Sequence, residues 1–193
     1  MRTKSKWFAK GKARDPQQLA TVVAMTLWRL GIQTLRSMRK ADYDIVTGPP
    51  YFDFLREYLV FLTNLADRYV FPHVDAEGRR DFMTTLVIRL AEMLAENQAD
   101  LLGGDYAEAR QAFVDLFNRR SEDYAHFDFR DGEPEYGFAR YVGNQLMDVL
   151  PEKDRVWVVE QVVSIEAPEA VKTLKTAFAN LFATAAPTAA PAE

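Results

Sequence analysis

Apolar side chains recur every three or four positions along most of this chain, the spacing that places them on one face of a helix. Asp15-Pro16 reads as an N-cap followed by the first helical residue, and the helix they open is expected to reach about Lys40. It carries two apolar stripes: Leu19, Val23, Leu27, Leu30 and Trp28, Ile32, Leu35, Met38. A helix apolar on both sides is expected at the centre of the fold. Arg36, Arg39 and Lys40 suit the negative end of its dipole.

Residues 42–48 form a connector, and Pro49-Pro50 opens a second helix. Tyr51, Leu55, Tyr58, Leu62, Leu65 and Tyr69 line one side, joined by Phe54 and Phe61; Asp53, Arg56, Glu57, Thr63, Asn64 and Asp67 take the other. Pro72 stops it. Asp75 caps a third helix with Phe82, Leu86, Leu90 and Leu94 inward, ended by Gly103-Gly104. Asp105 caps a fourth, striped by Tyr106, Ala109, Phe113, Leu116, Phe117 and Tyr124.

Residues 122–141 then pack aromatics and acids together around Asp131-Gly132, a turn signal. Pro134 is expected to begin a fifth helix reaching Leu150, and Pro151 a sixth element. The run Val156-Trp157-Val158-Val159 suits a buried strand by composition. Polar residues Glu160, Gln161 and Ser164 interrupt it at helical spacing, so residues 154–165 are read as helix. Pro168 opens a last helix with Val171, Leu174, Phe178, Leu181 and Phe182 on one face. It is expected to dock on the bundle rather than bind a partner groove, with Lys172 and Lys175 outward. The fold expected is all-α: an antiparallel bundle of about six to seven helices spanning residues 15–182 as one domain. Residues 183–193, rich in Ala and Pro, are expected to be a disordered tail.

Composition agrees with few, long elements. Gly and Pro make 18 of 193 residues, below the roughly 12% average. Charge divides the chain. Six of its 24 basic residues lie within residues 1–14, where there is no acid; the other 18 face all 28 acids, a net of −10. Residues 1–14 therefore read as a flexible basic arm on an acidic body. The arm lacks the apolar core of a secretory signal, and no apolar run in the chain is long enough to span a membrane. A cytoplasmic location is the expectation.

Most familiar chemistry is missing from the sequence. With no Cys there is no disulfide, zinc-thiolate site or thiol nucleophile. None of the four serines sits in G-x-S-x-G, and no phosphate-cradling glycine motif occurs. A calcium loop centred on Gly132 would place Phe127, Phe129 and Phe138 at ligand positions, so that reading fails. Glu122 and His126 share a helix face at metal-pair spacing, with Asp123, Asp128 and His73 as further donors, but two His in all cannot build a ferritin-like di-iron centre. No cofactor is expected.

Binding rather than catalysis is therefore the leading expectation: a regulatory or protein-interaction module using Tyr124, Phe127, Phe129, Arg130, Asp131 and Tyr136. Aromatics beside Arg are what interface hot spots use. The competing reading folds those aromatics inward as a lid on the bundle. A second expectation is a small-ligand or metal-binding protein, enzymes included, using Glu122 and His126. A pocket between the first two helices would serve it, although aromatics at helical spacing more often make ordinary core. A third is attachment to nucleic acid or an anionic membrane through Lys4, Lys6, Trp7, Lys10 and Lys12. The partners expected are another protein first, and a second copy of the chain.

Overall fold

The computed structural model describes residues 15–183. The arm residues Lys4, Lys6, Trp7, Lys10 and Lys12, and residues 184–193 of the tail, lie outside the described residues. The described chain is predominantly helical: α1 Pro16–Lys40, α2 Pro49–Val70, a 3-10 turn Phe71–His73, α3 Ala76–Leu102, α4 Tyr106–Tyr124, β1 Phe129–Arg130, β2 Glu133–Pro134, α5 Tyr136–Val149, α6 Glu152–Gln161, a π segment Val162–Glu166, and α7 Ala167–Ala183. No helix among the described residues is long and apolar enough to cross a membrane.

The helix starts follow from local chemistry. Asp15 accepts from the Gln17 amide at 3.1 Å and Asp75 from Gly78 at 2.8 Å. Asp105 accepts from Ala107 at 2.7 Å and Glu108 at 3.0 Å. Each satisfies amides that a helix N-terminus leaves without partners. Gly103, at φ 73°, ends α3 in a conformation costly for a side chain.

The centre of the molecule is α2, not α1 as the two stripes of α1 implied. α2 packs against α1, α3, α4, α5 and α7. Phe52, Phe54, Leu55, Tyr58, Phe61, Leu62 and Leu65 are all buried. α1 keeps an open edge at Thr21, Met25, Arg29 and Gln33. It approaches α2 closely at Gly31, where an added Cβ would lie 3.3 Å from Leu59 Cδ2. Thr63 and Asn64, expected on the polar side of α2, are buried too. Each satisfies itself on its own helix: Thr63 Oγ1 donates to Leu59 O at 2.7 Å and Asn64 Nδ2 to Val60 O at 2.9 Å.

Two proline expectations are corrected. Pro134 does not begin α5; it sits in β2, paired with Phe129. Asp131 and Gly132 both take positive φ, at 55° and 78°. That is the geometry of a two-residue hairpin turn, and the hairpin delays the helix to Tyr136. Pro168 does not open a separate helix. α6, the π segment and α7 form one continuous helical rod, in which the Ala167 amide reaches back five residues to Val162 O. The widened turn immediately precedes Pro168, whose ring cannot tolerate an ordinary α-helical carbonyl four residues back. Residues 154–165 are helical, as read from their polar interruptions. Val158 and Val162 face inward, whereas Val156 and Trp157 point to solvent.

Candidate functional site

The aromatics of residues 124–141 largely close on one another. Tyr124 is buried, with its ring 4.6 Å from Phe138 and 4.9 Å from Tyr141. Phe127, half-buried, packs on Phe138 and Tyr141. Gly137 permits this, since a Cβ there would lie 3.0 Å from the Phe127 ring. Phe129 stands edge-on to Tyr69 at 5.2 Å, and the Tyr69 hydroxyl donates to Gly132 O at 3.0 Å, fastening the hairpin to α2. Arg130, Asp131 and Tyr136 remain exposed, with Arg130 paired to Asp128. The expected surface thus separates into an inner aromatic cluster and an outer rim of three exposed residues.

Charge locks the cluster from outside. Arg120 donates to Glu57 through two nitrogens at 2.8 and 3.1 Å. Its guanidinium also lies 6.0 Å over the Tyr141 ring. The Glu57 hydrogen bonds hold the Arg120 pKa above its ordinary value. Burial, followed by the hydrogen bond to Asp123, pushes the Tyr141 phenol up to about 12. Glu122 and His126 are both exposed. Of their expected helpers, Asp123 accepts from Tyr141, Asp128 pairs with Arg130, and His73 stacks on Phe182 at 3.9 Å. Among the described residues no three His, Asp or Glu side chains converge to hold a metal ion.

A cleft of about 680 Å³ opens beside this segment, between the end of α2, the start of α3 and the end of α4. Phe71, Val74, Met83 and Phe117 supply its apolar walls; Asn64, Asp67, Arg68, Asp75, Arg79, Arg80 and Ser121 supply its polar groups. Arg68 donates to Tyr124 O at 3.1 Å and Phe127 O at 3.3 Å, closing the C-terminal end of α4. Arg79 grips Asp67 through two hydrogen bonds, at 2.7 and 2.6 Å, and covers the Phe71 ring at 5.2 Å. Arg80 is exposed and has no ion pair among the described residues. The Ser121 hydroxyl is buried and has no hydrogen-bond partner. Apolar walls with a few convergent polar groups are the make-up of a binding site.

No protein-family model, curated protein or solved structure matches the chain. Function has to be argued from the geometry.

Sequence reasoning did not find the cleft, because its lining comes from residues 64–83 and 117–125, on α2, the 3-10 turn, α3 and α4. No local charge signal marked it, because Arg68, Arg79 and Arg80 stand among Asp67, Asp75, Glu77 and Asp81.

A second polar cluster sits deep in the fold. Glu166, in the π segment, is 2% exposed. Its Oε1 accepts from Ser37 Oγ at 2.8 Å and Gln161 Nε2 at 3.0 Å. Its backbone carbonyl accepts from the buried Tyr58 hydroxyl at 3.1 Å. Burial raises the Glu166 pKa above its ordinary value, against the lowering effect of the two donors. No cavity adjoins this carboxyl among those described, so it reads as a structural junction between α1, α2 and the π segment.

Proposed function

We propose that the chain is a non-catalytic binding module that captures an acidic segment of another protein in the α2–α3–α4 cleft. The observation that carries this reading is the cleft itself: three guanidinium groups against two carboxylates, Asp67 and Asp75, already engaged by Arg79 and the Gly78 amide, with an unpaired buried hydroxyl beside apolar walls. A segment bearing one apolar side chain beside carboxylates would fill the walls and find Arg80 and Ser121 as partners. The basic arm supports the same choice of partner. Pro16, just after the arm, lies against Gly78 in the first turn of α3, 3.5 Å from where its Cβ would be. The six cations of residues 1–14 precede Pro16 in the sequence and would attract an acidic partner. The exposed rim of Arg130, Asp131 and Tyr136 would be a further contact for the same partner.

The test is amide-resolved NMR with amidated peptides carrying one Phe or Leu between paired Glu residues. Shifts are expected at Ser121, Arg79 and Arg80. They should vanish in Arg80→Glu, and when Lys replaces the peptide Glu residues. Deleting residues 1–14 should weaken binding most at low salt. Shifts confined to Arg130, Asp131 and Tyr136 would move the site to the hairpin's outer face. Equal binding of the Lys peptides would overturn the proposal.

A further inference from the structure

We propose that the outer face of α6 is a self-association surface through which two copies of the chain pair in antiparallel, two-fold fashion. Val156 is 74% exposed and Trp157 66% exposed, on a helix whose opposite side supplies Val158 to the core. Lys153, Val156, Trp157, Glu160 and Ser164 recur at the three- and four-residue spacing that makes a single stripe. An exposed Trp beside Val is the kind of anchor that concentrates binding energy at an interface. This face shares no residue with the α2–α3–α4 cleft.

The charges choose the occupant. One turn before the Val156-Trp157 pair stands Lys153, with its side chain 62% exposed. One turn after it stands Glu160, also exposed. A two-fold axis passing between Val156 and Trp157 sets each Val156 against the other copy's Trp157. The same axis brings each Lys153 to the other copy's Glu160, twice over. A parallel arrangement would set like charge on like. An isologous contact needs a self-complementary patch, and this stripe is one. Lys153 already pairs with Asp44 at 3.1 Å, and Glu160 accepts from Ser164 at 2.6 Å. Both side chains keep donor or acceptor capacity beyond these contacts. One helix face buries little area, below the roughly 1,200 Å² of stable complexes, so the dimer belongs to the weak, concentration-dependent class.

Sedimentation equilibrium over a wide range of protein concentration tests this. Wild type should shift from monomer to dimer as concentration rises, with a blue shift of Trp fluorescence. Trp157→Ala, Lys153→Glu and Glu160→Lys should each raise the dissociation constant by at least about tenfold. The double variant Lys153→Glu/Glu160→Lys should dimerise again. An equimolar mixture of the two single charge variants should form a heterodimer, although neither dimerises alone. Glu160→Lys leaves the Lys153–Asp44 pair intact, so its effect cannot come from losing that contact. A wild type monomeric at every concentration overturns the proposal and leaves the face to a different partner. Dimerisation unchanged by Trp157→Ala, or a charge-variant mixture no better than its components, overturns it equally.

Discussion

Ser37 Oγ donates a 2.8 Å hydrogen bond to Glu166 Oε1 across 129 residues of sequence, joining α1 to the π segment through a carboxyl with no cation in its hydrogen-bonding shell. Burial raises the Glu166 pKa above 4.5. The folded state therefore holds this proton more tightly than the unfolded state does. The resulting stability is fully present below the unfolded value and is lost as pH rises through the folded one. Glu166→Gln removes the ionisation while keeping an acceptor for Ser37. The variant is expected to melt above wild type at pH 8, with the difference shrinking toward pH 4.5. Thermal melts across that range check it; a wild type that gains on the variant as pH rises would refute the assignment.

The Arg120–Glu57 pair ties α4 to α2 with both side chains largely sheltered, at 26% and 11% exposure. Arg120→Ala would strand a poorly solvated carboxylate and release the Tyr141 ring. The expected loss is about 2 kcal/mol, more than an exposed pair contributes. Glu57→Gln should cost less, because it keeps an acceptor and strands no carboxylate. Urea denaturation of the two variants gives the order directly.

What could be read along the chain was what neighbouring residues decide. The caps Asp15, Asp75 and Asp105 and the Asp131-Gly132 turn act within three residues, and the structure places each where its own chemistry requires. Burial that depends on distant elements was not legible. Thr63 and Asn64 looked like a polar face until five helices closed around α2 and their side chains turned to backbone carbonyls. The Val156-Trp157 run suited a buried strand by composition, but composition does not reveal which side of a helix is left uncovered. The cleft was hidden for the same reason: no local window contains both Phe71 and Ser121.

Gly143 lies where α5 meets α6, and an added Cβ would sit 3.1 Å from the Val159 Cα. Ala is intrinsically the better helix former by about 1 kcal/mol. The obstacle here is backbone, which cannot swing aside as a side-chain tip does. Gly143→Ala is therefore expected to destabilise, by about 1–3 kcal/mol net, through separation of α5 from α6. A denaturation midpoint above wild type would show that the two helices part without cost.

Ser121 separates stability from binding. Its hydroxyl is buried, lines the cleft, and has no hydrogen-bond partner. Removing an unsatisfied buried polar group relieves its desolvation penalty, so Ser121→Ala should be neutral or stabilising by up to about 1 kcal/mol, with an unchanged denaturant slope. The same change should weaken the acidic peptides, since it deletes a donor that a χ1 rotation would turn toward a bound carboxylate. A structural hydroxyl would behave in the opposite way: its loss would lower stability and leave peptide affinity alone. Measuring the denaturation midpoint and the peptide dissociation constant on one preparation tells the two roles apart. A midpoint that falls while affinity holds would remove Ser121 from the site and leave Arg80 as its main polar contact.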